Sequence, residues 1–304
     1  MGFTMVSLVQ PQPIIYVLEP FGGSARLHNP MLPHVFHDDA AVTRGDGVFE
    51  AILLLGGEPT NLDRHAARFA SSAARLGLPA PYLGQWREVT AAAAQAWHAQ
   101  HGEKHPAARC TWTYTRGRES TGVPSAWVTV GAEPREHARA RAEGARALTG
   151  PRGYQVDTGD KAAPWLTTGA KTLNYAANMA ALRHAKQNGF DDVIFVDTET
   201  GRVLEATTST VIVVKKGRRL RTPRPGQDIL SGTSQQALFE YAGQRGYKCK
   251  VKDLYVDDLL SAESVWLVSS VRRGVRVTAV NEVELPAPKN AAEIAALIDA
   301  ALAD

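Results

Sequence analysis

Only two cysteines, Cys110 and Cys249, occur in 304 residues. Two distant thiols build neither a disulfide framework nor a zinc site. Each lies in an apolar or strand-like stretch, so both are expected as buried thiols in a reducing compartment. Charge of one sign is also lacking: 34 Lys and Arg stand against 31 Asp and Glu, a formal net charge of +3. That balance sends no long-range field toward nucleic acid or an acidic membrane, so neither is expected as a partner. No apolar run reaches the ~20 residues that cross a bilayer. No charged segment ahead of an apolar core marks a secretory leader, and the expected location is cytoplasmic by default. Gly22-Gly23, Gly45-x-Gly47 and Gly56-Gly57 complete neither a dinucleotide fingerprint nor a P-loop. What remains is an ordinary globular composition, 44% hydrophobic and 21% charged, long enough for two domains at roughly 150 residues each.

The first dozen residues read as a loose lead-in. Strands are expected at 14–18, 48–55, 109–114 and 126–130, and helices at 62–76 and 86–100. Ala66, Phe69, Ala70 and Ala73 set the helical period of the first of these, and Gly77 ends it. Pro, Gly and Asp collect between Thr149 and Thr168, so a linker is expected at 149–168 between a smaller domain, 1–148, and a larger one, 169–304. Beyond it, Leu173 to Lys186 reads as a helix. Asp192 to Val196 and Val203 to Val214 read as a hairpin around Glu199-Thr200-Gly201. Then follow a strand at 220–222, a helix at 234–245, a buried strand at 265–269, an edge strand at 276–280 and a terminal helix at 291–302. Mixed rather than alternating elements favour α+β over a doubly wound sheet.

His98, His101 and His105 have metal-like spacing, but no carboxylate or cysteine joins them; a solvated helix end is expected and no metal is assigned. Lys215, Lys216, Arg218, Arg219, Arg221 and Arg224 form the densest charge cluster. It falls on a hairpin turn and an expected edge strand, where basic residues commonly blunt the edge. Lys171 sits where an irregular stretch enters an apolar helix; alone, it reads as a terminal lysine reaching water. Glu205 lies in the run Val203-Leu204-Glu205-Ala206-Thr207-Thr208-Ser209. A period-2 strand puts Val203, Glu205, Thr207 and Ser209 on one face, which needs a cationic partner if buried and nothing if exposed.

Five segments occur in a telling order. They are Arg44-Gly45-Asp46-Gly47-Val48-Phe49-Glu50, His65-Ala66-Ala67-Arg68, Lys171-Thr172-Leu173-Asn174-Tyr175, Glu205 before its Thr/Ser run, and Leu230-Ser231-Gly232-Thr233-Ser234. In that order and spacing, from about Leu32 to Val280, the chain resembles the class IV aminotransferases. These are two-domain α+β, fold-type IV pyridoxal-phosphate enzymes, like the D-amino-acid aminotransferases, and they include branched-chain aminotransferases and 4-amino-4-deoxychorismate lyases. The wording around Lys171 and Thr233 is most similar to actinobacterial lyases of this group.

The resemblance implies pyridoxal 5'-phosphate as cofactor, a homodimer, and a small anionic amino substrate. It implies that the catalytic residue Lys171 binds the cofactor aldehyde and moves the substrate Cα proton. Glu205 would pair with the ring nitrogen. Arg68 would hold the phosphate with a forked guanidinium, together with Thr233 and Ser234 where a helix begins. Ser270 would add a phosphate contact, and Tyr175 would touch the ring. The activity implied is 4-amino-4-deoxychorismate lyase, giving 4-aminobenzoate and pyruvate for folate biosynthesis. The alternative is a D-amino-acid or branched-chain aminotransferase, which Glu50 favours because some lyases carry Thr there. Arg272 and Arg273 replace a family loop on the substrate side; they are expected to be exposed, with pairing to substrate carboxylates as the other reading.

Overall fold

The computed structural model describes residues 11–154, 163, 165–226 and 228–303; the lead-in before Pro11 and the middle of the expected linker lie outside them. The first half runs β1 (Ile14–Leu18), β2 (Ala25–His28), α1 (Ala40–Thr43), β3 (Gly47–Leu55), β4 (Glu58–Pro59), α2 (Leu62–Arg75), α3 (Leu83–His101), β5 (Ala107–Thr115) and β6 (Ser125–Ala132). Its strands form a six-stranded sheet in the order β2-β1-β6-β5-β3-β4. The second half runs α4 (Arg135–Glu143), β7 (Ala145–Pro151), α5 (Ala176–Gln187), β8 (Asp192–Val196), β9 (Val203–Ala206), β10 (Thr210–Lys215), β11 (Arg219–Thr222) and α6 (Thr233–Gly243). It ends with β12 (Lys248–Val251), α7 (Val256–Leu260), β13 (Ser264–Ser269), β14 (Arg273–Val280), β15 (Val283–Glu284) and α8 (Ala291–Ala303). Nine strands form the second sheet, β12-β11-β10-β13-β14-β7-β8-β9, with β15 on β14. The fold is α+β. Because β7 pairs in parallel with both β14 and β8, the second sheet already begins at Ala145, ahead of the expected linker.

Side-chain alternation explains the second sheet's burial. Ile212, Val214, Trp266 and Val268 face a core closed by Leu238 of α6 and Ile298 of α8. Val211, Val213, Val265 and Leu267 face the opposite core with Leu254 and Leu259. A strand buried on both faces has no polar position to spare, so Val211 to Val214 reads as an unbroken apolar run.

Several boundaries differ from the sequence expectation. Val203 to Val214 is two strands: the Ala206 amide bonds back to the Ser209 carbonyl at 2.9 Å, folding Thr207 to Ser209 into a turn. Thr207 and Ser209 therefore do not continue the face of Glu205. The helix expected from Leu173 starts at Ala176, because Leu173 pairs instead with Gly47. The strand at 276–280 is interior, flanked by β13 and β7. So is β11, which lies between β10 and β12; its Arg219 and Arg221 donate to the carbonyls of Lys216, Leu220 and Lys248, and the basic residues flanking it are held by carboxylates. Lys215 pairs with Asp258, Arg218 with Glu293, and Arg224 with Asp253. Cys110 is buried, whereas Cys249 on the edge strand β12 is only half-buried.

Helix α2 carries the elements of interest. His65, Ala66, Phe69, Ser72 and Ala73 share its buried face, and Gly77, at φ 61°, reverses the chain after it. Phe69 is fully buried, with its ring centroid 4.7 Å from that of Trp86 and 5.3 Å from that of Trp112. Phe69→Ala should therefore cost about 3–5 kcal/mol of unfolding free energy in denaturant titration. A loss under about 1 kcal/mol would show that this aromatic cluster does not anchor α2.

Candidate active site

The segment before α5 crosses to the first sheet. Thr172 bridges Val48 in antiparallel register. Phe49 donates its amide to the Lys171 carbonyl at 3.0 Å, and Leu173 donates to the Gly47 carbonyl at 2.8 Å. A Cβ at Gly47 would come within 2.7 Å of Leu173 Cδ1 and 2.8 Å of the Tyr114 carbonyl oxygen, so the approach requires glycine. The Lys171 amide donates to Ser72 Oγ of α2 at 3.0 Å. These bonds fix the lysine backbone at the seam between the sheets. Its Nζ lies 4.3 Å from the Phe49 ring centroid and 3.3 Å from the Tyr175 hydroxyl.

Glu205 projects from β9, and its Oε1 accepts from Arg152 Nη2 at 3.0 Å. Arg152 also donates to the Asp228 carbonyl. Burial pushes the Glu205 carboxyl up to about 7, with Arg152, the Leu230 amide and Lys171 pulling the other way. About a quarter of the side chain, 23%, stays open to solvent.

Arg68 lies on the far side of the Leu230–Gly232 loop. Its Nε and Nη2 donate to the two oxygens of Glu50, each at 2.7 Å, and its Nη1 donates to the Ser231 carbonyl at 3.1 Å. Those three bonds leave two of the five guanidinium N–H groups for a ligand. Glu50 is fully buried. Burial would raise its carboxyl, but the charge and hydrogen bonds of Arg68, and those of His65, hold it at about 2. His65 Nδ1 lies 2.7 Å from Glu50. Ser270 Oγ lies 3.1 Å from His65 Nε2 and 3.1 Å from Ser234 Oγ. Thr233 and Ser234 open α6 behind Gly232, and no side chain caps the helix. Its first N–H groups therefore offer an anion site. A cleft of about 960 Å³ opens beside Arg68, Ser72, Gly169, Ser231 and Thr233.

The structure thus gathers Arg68, Thr233, Ser234 and Ser270 at one end of the site, Lys171 and Tyr175 at its centre, and Glu205 at the other end. Arg272 and Arg273 are not exposed. Arg272 donates to the buried Asp192 and to Ser209, both at 2.9 Å, while Arg273 pairs with Glu133 and Asp299. Asp192 also accepts from the Thr207 hydroxyl at 2.6 Å, so this arginine locks the turn after β9. The contacts of His65, Arg152 and Ser72 are not legible in the motifs, where Glu50 reads only as a family mark. Glu50 carries a signal: it stands between Val48 and Ile52 on the inward face of β3, where a carboxylate demands a cation. Arg152, in an irregular stretch, carries none.

Glu205 makes the ligand-free protein pH-sensitive. Its folded carboxyl, at about 7, lies above the ordinary 4.5, so the native state binds the extra proton. The stability it contributes is complete below pH 4.5 and is lost as pH rises through about 7. Relative to Glu205→Gln, the wild type should lose up to about 3 kcal/mol over that window, read from urea titrations at several pH values. Parallel curves for the two proteins would show an unperturbed carboxyl.

The family model for class IV amino-transferases matches residues 47–280. The bifunctional aminodeoxychorismate lyase / D-amino acid transaminase of Mycobacterium tuberculosis is 42% identical over 279 residues, covering 90% of this chain and 95% of that protein. A hypothetical aminotransferase from Mycobacterium tuberculosis in its PLP-bound form is 40% identical with a TM-score of 0.88, covering 95% of this chain and 98% of that one. The 4-amino-4-deoxychorismate lyase of Pseudomonas aeruginosa, at 22% identity and a TM-score of 0.72 over 90% of this chain and 97% of that one, shares the fold. With a family match across most of its length and a close relative along nearly all of it, this chain belongs to the class IV aminotransferase family.

Proposed function

We propose that this chain is a pyridoxal-phosphate enzyme that cleaves 4-amino-4-deoxychorismate to 4-aminobenzoate and pyruvate, with D-amino-acid transamination as a second activity of the same site. The observation that carries the reading is the 42% identity, along 90% of the chain, to a relative named for both reactions. The transaminase half has its own support in Glu50, a residue usual in aminotransferases. The homodimer implied by the resemblance and the cytoplasmic location expected by default belong to the same proposal; exposed Met31, Leu32 and Phe36 offer an apolar surface for a second copy.

The residues present fit the cofactor. The uncapped start of α6 and the outward N–H groups of Arg68 suit its phosphate. Glu205, which has Arg152 as its ion-pair partner, suits a protonated ring nitrogen. Bound there, the cofactor supplies an electron sink for the pair released at the substrate Cα. Lys171 Nζ takes the Cα proton, and the Tyr175 hydroxyl 3.3 Å away holds that amine in place. Phe49 and Tyr175 flank the amine, which lies 4.3 Å from one ring centroid and 5.3 Å from the other. In the lyase reaction the ether C–O bond to the enolpyruvyl group breaks, the ring becomes aromatic, and the three-carbon fragment is protonated to pyruvate. The amine leaves with the product, so no acceptor is consumed.

That difference supplies the test. Enzyme with excess aminodeoxychorismate and no keto acid should give many equivalents of 4-aminobenzoate and pyruvate per site. One equivalent, resumed only on adding a keto acid, would overturn the lyase reading and leave the transaminase. In the same preparation, Arg68→Ala should weaken pyridoxal-phosphate affinity by about 2–5 kcal/mol in equilibrium dialysis. Unchanged affinity would move the phosphate role away from Arg68.

A further inference from the structure

The cradle around Arg68 is electrically neutral before any phosphate arrives. The Arg68 guanidinium is balanced by Glu50, to which it makes two bonds of 2.7 Å. His65, buried beside them, adds no charge. Burial lowers its pKa most, Glu50 from β3 raises it, and Arg68 of its own helix and Lys171 of the crossing segment lower it, leaving it below the ordinary value. Ser270 and Ser234, the other groups within its hydrogen-bonded chain, do not ionise near neutral pH.

The direction of each hydrogen bond follows. The ionised Glu50 can only accept, so His65 Nδ1 carries the hydrogen toward it. Neutral His65 then presents a bare Nε2, which accepts from the Ser270 hydroxyl at 3.1 Å. Ser270, its hydrogen spent, accepts from Ser234 at 3.1 Å. Every hydroxyl hydrogen in the chain thus points toward Glu50 and away from the start of α6. A phosphate dianion seated there would find the outward N–H groups of Arg68 and the start of α6, but from Ser234 and Ser270 it would meet oxygen lone pairs, in a cradle without net charge and with the Glu50 carboxylate nearby.

We propose that seating a phosphate monoester dianion in this cradle takes up one proton at His65, which reverses the chain so that Ser270 and Ser234 turn their hydrogens toward the phosphate. The inference rests on the cradle assignment made under the proposed function. Protonated His65 donates through Nδ1 to Glu50 and through Nε2 to Ser270. Ser270 then gives its hydrogen to Ser234 or to the phosphate, and Ser234 gives its own to the phosphate. One positive charge is added, no other proton is gained, and the cradle becomes cationic as the dianion enters. His65 and Glu50 are positioning residues: they act on the ligand through Arg68 and the two serines.

The probe is pyridoxine 5'-phosphate, which lacks the aldehyde and forms no bond to Lys171. The full-length protein, labelled with ¹⁵N in its histidine rings, is examined by NMR at pH 8 with and without it. At that pH an ordinary histidine is neutral and a free phosphate monoester is already dianionic. Saturation should convert one ring from a neutral Nδ1–H form to an imidazolium, while the ³¹P shift stays that of a dianion. A His65 ring that stays neutral in the loaded protein overturns the proposal alone. In dialysis between pH 7 and 9, affinity should fall as pH rises, by up to about tenfold per pH unit, more steeply for wild type than for His65→Gln. Equal slopes also overturn it. Where His65→Gln fails to fold, the wild-type spectra decide. Absence of any binding, or binding indifferent to Arg68→Ala, overturns the cradle assignment and this proposal together.

Discussion

The structure turns on the burial of one carboxylate. Glu50 has no exposed surface, and it lies on the inward face of a strand whose other inward residues are apolar. A charge so placed is tolerable only with cations in contact. Helix α2 supplies them by spacing: His65 and Arg68, three residues apart, fall on one face and meet both carboxylate oxygens. Such a pair adds little net stability over an apolar contact, yet removing one member leaves a buried charge that costs about 3–5 kcal/mol. Its consequence is orientation. Arg68 is held by two parallel bonds, so its remaining N–H groups point at the loop before α6.

From that fixed helix the rest of the site follows. Ser72, one turn beyond Arg68, receives the Lys171 amide, and β3, which carries Glu50, pairs with Lys171 and the two residues after it. The strand and the helix that grip the carboxylate are thus the two elements that place the lysine. The Leu230–Gly232 loop ties the second sheet to the same assembly: the Leu230 amide reaches Glu205, and the Ser231 carbonyl accepts from Arg68. Arg68, Lys171 and Glu205 are thus all tied to α2 and the loop before α6.

Much of this was legible from residues alone. Helix α2, the strand β3 and the terminal helix α8 show in the spacing of apolar residues, because each buries a single face or run against a core. The five segments mark Lys171, Arg68, Glu205 and Thr233 as one set, and α2 and the Leu230–Gly232 loop tie the backbone of Lys171, the guanidinium of Arg68 and the carboxylate of Glu205 to one assembly. What failed were readings that depend on neighbours distant in sequence. β11 looks like an edge because the basic cluster around it reads as solvated, but Arg218 beside it finds Glu293 of α8, and 276–280 looks like one although β13 and β7 flank it. Val203 to Val214 looks continuous because β-branched residues fill it. The break follows from Asp192, whose carboxylate draws the Thr207 hydroxyl and the Arg272 guanidinium into a turn. Arg152 was invisible because its function is set by Glu205, 53 residues away.

The two ends of the site ask for opposite proton traffic. At the ring end, Glu205 is enclosed enough to hold a proton near neutral pH, and a cationic ring nitrogen beside it would drive that proton off. At the phosphate end, the pairing of Arg68 with Glu50 cancels charge, and a dianion beside His65 would draw a proton in. On the proposed reading, a ligand that spans both ends would move a proton out at one and in at the other. Above about pH 7 the Glu205 carboxyl is already largely ionised, so at higher pH only the uptake at the phosphate end would tilt the affinity. The Arg68–Glu50 pairing keeps the phosphate end near electrical balance, where a fixed unpaired buried charge would be costly. Its charges become complementary to the ligand only as the ligand arrives.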